Sequence, residues 1–198
     1  MHTNLSHNSA IVQKPGAAEA LFTGGTLFHA QSGTISVEDI TPGTRIITKD
    51  RGYQSIAQVT FTDIDLQNAP HLAPILFRAD SLLFQKPDKQ CYLAPSARVA
   101  LCHPLFDMMF GQREVYAQAD HLLEIPGVSR VEGLRGITYV TLSADLPFVA
   151  LTNTLAISVA DSPQRHGRRA LSAREARIAS QILVQRPINS QQTIHVLQ

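Results

Sequence analysis

From Thr26 onward the chain is broken every few residues by turn formers. The stretches between them are short and rich in β-branched and aromatic residues, which favours strands over helices. Gln31-Ser32-Gly33 separates residues 26–30 from residues 34–38 and predicts a hairpin. Pro42-Gly43 is a turn pair, and Arg45-Ile46-Ile47-Thr48 predicts a third strand closed by Asp50-Arg51-Gly52. Residues 53–63 alternate loosely through Ile56, Val59 and Phe61. Further strands are expected at 74–77, 91–93, 99–102, 114–117, 137–142 and 148–159, the last with a bend at Asn153. So many short strands predict a mainly β domain.

The C-terminal segment has a different pattern. Ser172-Ala173-Arg174-Glu175 has the form of a capping box, in which the serine hydroxyl and the glutamate each satisfy a backbone N–H at the start of a helix. Ala176, Ala179, Ile182 and Leu183 follow at helical spacing with Ile178 close by, and Pro187 ends the run. One helix cannot bury its own apolar face, so it is expected to pack on the β domain or on a partner. Residues 1–18 are polar and aperiodic and predict a flexible tail. The expected division is a tail over 1–18, a β domain over 19–162, and a basic linker, helix and tail over 163–198.

Composition narrows the function classes. Of 198 residues, 44% are hydrophobic, enough for a sizeable core, and the net charge is +1, which gives no general attraction to nucleic acid or anionic membrane. The N-terminus has no secretory signal pattern and no apolar run approaches the ~20 residues of a membrane span. A soluble protein, cytoplasmic by default, is expected. Cys91 and Cys102 form neither a disulfide framework nor a zinc pattern, and buried free thiols are expected. His29, His71, His103 and His121 lack metal-ligand spacing, and no nucleotide-binding glycine motif occurs. No metal and no cofactor is expected.

Two adjoining segments are the most distinctive: Leu21-Phe22-Thr23-Gly24-Gly25-Thr26-Leu27-Phe28, and Ile35-Ser36-Val37-Glu38-Asp39-Ile40-Thr41-Pro42-Gly43. They resemble the opening of the bacterial form of the Hint domain, the Hedgehog/intein self-processing module, which reads Cys-Phe-x-x-Gly-Thr-x-Ile. The likeness continues in order through Gly52-Tyr53-Gln54-Ser55-Ile56, Pro74-Ile75-Leu76-Phe77-Arg78-Ala79 and Tyr92-Leu93-Ala94-Pro95-Ser96-Ala97-Arg98-Val99. It extends through Val115–Leu122, Thr138-Tyr139-Val140-Thr141-Leu142 and Arg174-Glu175-Ala176-Arg177, so it covers about residues 20–183. The resemblance implies a horseshoe of short strands with one C-terminal helix and termini brought close.

The resemblance also implies a chemistry. In the family a Cys or Ser side chain attacks the carbonyl before it, and a His in a Ser-Pro-x-His block protonates or polarises the scissile amide. This chain departs at three places. Leu21 stands at the nucleophile, Ala94 and Ala97 stand at the Ser and His of Ala94-Pro95-Ser96-Ala97, and Pro147 stands at the His of a late Asp-x-His. A self-cleaving site with those replacements is expected to have lost its activity and to persist as a binding or structural module with a protein partner.

Two alternatives remain open. Thr23 is the candidate for a non-standard nucleophile that would cleave near residue 20, against the plainer expectation of a turn threonine bonding backbone. Arg165, Arg168, Arg169, Arg174 and Arg177, with His166, form a basic stretch that could dock an acidic partner, against the plainer expectation of a solvated face. Cys102-His103 is adjacent on a predicted strand, so the two side chains should point apart, with the Cys in the core.

Overall fold

The computed structural model describes residues 18–82, 86–159 and 167–184. The expected tail before Ala18, Arg165, His166 and Pro187 lie outside the described residues. In chain order the strands begin with β1 (Ala18–Thr23), β2 (Leu27–Ala30), β3 (Gly33–Ser36), β4 (Arg45–Thr48), β5 (Gly52–Ser55) and β6 (Gln58–Asp65). Next come β7 (Ile75–Phe77), β8 (Cys91–Leu93), β9 (Arg98–Cys102), helix α1 (Pro104–Phe110), β10 (Glu114–Gln118) and β11 (Val128–Arg130). The last described elements are β12 (Gly136–Ala144), β13 (Phe148–Leu151), β14 (Ala156–Val159), β15 (Arg169–Ala170) and helix α2 (Ala173–Val184).

The strands form two sheets. One runs β11-β7-β8-β1-β12-β6, and the other runs β15-β10-β9-β14-β13-β4-β2-β3 with β5 on β4. One hydrophobic core joins them, including Phe22 of β1, Phe28 of β2, Val99 of β9, Leu142 of β12, Phe148 of β13 and Ile157 of β14. Phe22 and Phe28 meet edge to face at 5.0 Å, so the turn between β1 and β2 carries the chain from one sheet to the other across a single aromatic contact.

The mainly β expectation holds, and the hairpin forms where Gly33 allows it, with φ at +117°. Several elements differ from the sequence-based expectation. β1 begins at Ala18, inside the stretch expected to be tail, because β12 offers it a complete antiparallel ladder from Ala18↔Ala144 to Thr23↔Tyr139. The expected long strand over 148–159 is two strands that pair with each other. Thr152 reverses the chain: its hydroxyl donates to the Leu155 carbonyl at 2.7 Å and accepts from the Leu155 N–H at 3.1 Å.

A short helix, α1, precedes the expected one. His103 Nδ1 accepts from the Leu105 N–H at 3.1 Å, Pro104 fits the first turn, and Gly111 takes the left-handed conformation past the end. α1 buries Phe106 and Phe110. The C-terminal helix starts as expected: the Ser172 N–H donates to Glu175 Oε2 at 2.9 Å, and the Glu175 N–H donates back to Ser172 Oγ at 3.3 Å. α2 buries Ala176, Ala179, Ser180 and Leu183. Among the described residues, no helix is long and apolar enough to cross a membrane.

Candidate functional site

Leu21 lies in the middle of β1, opposite Thr141 of β12, and packs against the hydrophobic core. Alternation along the strand turns its neighbour Phe22 into the core, where it lies fully buried beside Leu93 of β8. The peptide bond before Leu21 is a regular link in a ladder that continues three residues further toward the N-terminus.

Ala94 and Ala97 close the turn between β8 and β9, with the Ala97 N–H donating to the Ala94 carbonyl at 2.9 Å. Both are buried members of the same core that Leu21 packs against. The turn is also tied to the segment after β10: the Ala119 N–H donates to the Ala97 carbonyl at 2.9 Å and the Asp120 N–H to the Pro95 carbonyl at 3.1 Å. Pro147 is buried in the link between β12 and β13, while Asp145 and Leu146 beside it are exposed. The four positions therefore carry side chains without a nucleophilic, acidic or basic atom.

Thr23 ends β1 with its hydroxyl already engaged. Oγ1 donates to the Tyr92 carbonyl at 2.7 Å, and the Thr23 carbonyl accepts from the Thr26 hydroxyl at 2.8 Å. The turn that follows is held by Glu38, whose Oε1 accepts from the Gly25 N–H at 2.6 Å and whose Oε2 bonds the Ser36 hydroxyl. A Cβ on Gly24 would stand 2.8 Å from Glu38 Oε1, and Gly25 has φ at +77°. These contacts explain why two glycines sit together there. Partial burial raises the Glu38 pKa, but the Ser36 hydroxyl and the backbone N–H groups of Glu38 and Gly25 outweigh it and leave the carboxyl below its ordinary value.

Beside this turn lies an open cleft, lined in part by Thr23, Gly24, Gly25, Cys91, Asn153 and Thr154. Asn153 closes one side: its N–H donates to the Leu27 carbonyl at 2.9 Å and its Oδ1 accepts from the Leu27 N–H at 3.3 Å. The Cys91 thiol is half-buried here. Burial pushes its pKa up to about 11, against a smaller lowering from its hydrogen bond with Thr154. A thiol of that pKa stays protonated near neutral pH and is a poor nucleophile. Sequence reasoning did not place Cys91 in this cleft, and no local signal could have done so, because the strand pairing alone brings it beside β1.

The remaining candidates are dispersed. Cys102 is exposed, which corrects the expected core position. On β9 the buried residues are Val99 and Leu101, so alternation sends Cys102 outward. His103 caps α1 rather than serving as a base for Cys102. Among the described residues, no group of three His, Cys, Asp or Glu side chains could hold a metal ion.

The basic stretch is largely paired within the molecule. Arg168 reaches Asp50 Oδ2 and Glu114 Oε1 at 3.1 Å each, and its Nη1 lies 3.4 Å from the Tyr116 hydroxyl. Lys49 pairs with the other Glu114 oxygen at 2.7 Å. Burial would lower the Arg168 pKa, but Asp50, Tyr116 and Glu114 raise it further than burial lowers it. Arg169 pairs with Glu175, and Arg177 reaches Glu124 at 3.1 Å on the exposed surface. Arg174 is exposed.

A family model described as the Hint domain matches residues 20–158. No curated protein matches the chain. Among solved structures, a GSH-linked splice-inactive variant of the AceL NrdHF class 3 split intein is 12% identical with a TM-score of 0.45, over 72% of this chain and 99% of that one. A bacterial intein-like domain from Clostridium thermocellum is 8% identical with a TM-score of 0.42, over 70% of this chain and 98% of that one. The gp41-1 intein is 12% identical with a TM-score of 0.35, over 70% of this chain and 97% of that one. By the family match over most of its described β-sheet residues, the chain belongs to the Hint domain family.

Proposed function

We propose that this Hint domain does not cleave itself and serves as a binding or structural module for a protein partner. The observation that carries this reading is that Leu21, Ala94 and Ala97 pack in or against one hydrophobic core. An acyl shift needs an attacking heteroatom and a group to protonate the departing amide, and none of these three side chains has either. Support also comes from Thr23, whose hydroxyl donates to the Tyr92 carbonyl, and from Cys91, whose thiol is held protonated by burial.

The test is the intact mass of the purified chain, followed over a day with and without added thiol. This reading expects one species at 21.7 kDa under both conditions. A stable fragment beginning at or near Leu21 would overturn it and point to surviving chemistry.

A further inference from the structure

β6 is the last strand of its sheet. β12 pairs one edge, and among the described residues no strand pairs the other. At 8 residues it is much longer than the other outer strands β11, β3, β15 and β5, which have 3, 4, 2 and 4. The Leu66 N–H donates to the Arg135 carbonyl at 3.0 Å, next to the pair Asp65↔Gly136. Bonding direction alternates along an antiparallel ladder, so Thr60, Thr62 and Ile64 turn their amides toward β12. Val59, Phe61, Asp63 and Asp65 turn theirs outward.

Natural sheets guard such an edge with Lys, Pro, a bulge or a covering element. Residues 58–62 of β6 contain neither charge nor proline, and Phe61 is 54% exposed at the middle of the strand. The two carboxylates lie at the far end and are held by their own chain. Asp63 accepts from the Thr138 hydroxyl at 2.5 Å, and Asp65 accepts from the Gln67 N–H at 2.9 Å and the Asn68 amide at 2.7 Å.

We propose that this edge pairs antiparallel with the same edge of a second copy of the chain, about a twofold axis at Phe61. The outward amides restrict the allowed registers to those that match odd-numbered residues with odd-numbered ones. Centring on Phe61 pairs residues 58–64 of both copies and places Phe61 against Phe61 of the second copy. It sets Val59 opposite Asp63 and Thr60 opposite Thr62, so no like charges face each other. Centring on Thr62 sets Phe61 against Asp63 instead. Centring on Thr60 keeps only residues 58–62 paired. The proposal is independent of whether the chain cleaves itself.

Sedimentation equilibrium of the full chain tests it. The expected result is a mass that rises with concentration from 21.7 kDa toward twice that value. Phe61→Lys places two ammonium groups at the axis and is expected to weaken association by at least about tenfold, with an unchanged circular dichroism spectrum. A second measurement reads the register. In a Cys102→Ser background under mild oxidation, an equal mixture of Thr60→Cys and Thr62→Cys chains should form a disulfide-linked dimer, and neither chain alone should. A chain that remains monomeric at every concentration, or a dimer indifferent to Phe61→Lys, would overturn the proposal. Cross-linking of Thr62→Cys alone or Thr60→Cys alone would overturn the Phe61 axis. A monomer that instead takes up an extended peptide on β6 would assign the edge to another occupant and overturn the second copy.

Discussion

The hydroxyl of Thr23 donates a 2.7 Å hydrogen bond to the carbonyl of Tyr92, a residue 69 positions along the chain. This bond fastens the end of β1 to β8, which otherwise pair only through Phe22↔Leu93. It also occupies the hydroxyl of the residue weighed as a non-standard nucleophile. Thr23→Val keeps the shape and removes the donor, leaving a part-buried carbonyl unpaired. The expected loss is about 1 kcal/mol of unfolding free energy, read by urea denaturation, with no change in intact mass. A loss of cleavage in the variant would instead identify Thr23 as a nucleophile.

Glu38 sets an acid dependence. Burial works to raise its pKa, yet the hydrogen bonds from Ser36, its own N–H and Gly25 leave it lowered. A carboxyl with a depressed folded-state pKa stabilises the fold fully above its unfolded value. That contribution fades as pH falls through the folded pKa. The wild-type protein should therefore lose stability on acidification below the ordinary glutamate range, and Glu38→Gln should show a shallower fall. Thermal melts between pH 3 and pH 7 check this; parallel curves for the two proteins would count against it.

The two thiols should behave differently. Cys102 is exposed and is expected to react with a disulfide reagent at pH 7.5, whereas Cys91 reacts only slowly until the chain unfolds. An unfolded cysteine ionises near 8.5, and the folded Cys91 near 11. Its stabilising contribution is therefore complete below the unfolded value and is lost as pH rises toward the folded one. Cys91→Ala should flatten the alkaline arm of the stability curve. Two thiols reacting at equal rates at pH 7.5 would contradict the burial assignment.

Arg168 joins the segment before α2 to the turn after β4 and to β10, through Asp50 and Glu114. Arg168→Ala leaves those carboxylates, whose side chains are 22% and 20% exposed, with one cation fewer. A loss of about 1–3 kcal/mol is expected, whereas exposed Arg174→Ala should change stability by less than about 0.5 kcal/mol. Guanidinium-free urea titrations of the two variants make the comparison. Equal small effects would mean that the Arg168 contacts contribute little.

Local chemistry made some elements legible in the sequence. The capping box at Ser172 and Glu175 forms as read because its groups are three residues apart and need only one helical turn to meet. The hairpin at Gly33 forms because the turn residues themselves set the backbone. Helix α1 was also signalled, by Pro104 and Gly111, but its seven residues are too short to show an apolar period. The apolar character of Leu21, Ala94, Ala97 and Pro147 was legible as well, since the lack of a heteroatom can be read from residue type alone.

Residue identity and short-range spacing thus determined the mainly β character, the turns, the capped C-terminal helix and the apolar side chains at Leu21, Ala94, Ala97 and Pro147. Tertiary structure alone decided that β1 extends back to Ala18, that Cys91 stands beside Thr23, and that Arg168 is clamped between Asp50 and Glu114. Each of those depends on contacts between residues far apart in the chain. Periodicity and turn chemistry describe only neighbours, whereas strand pairing and burial set which distant groups share a dielectric, a hydrogen bond or a charge.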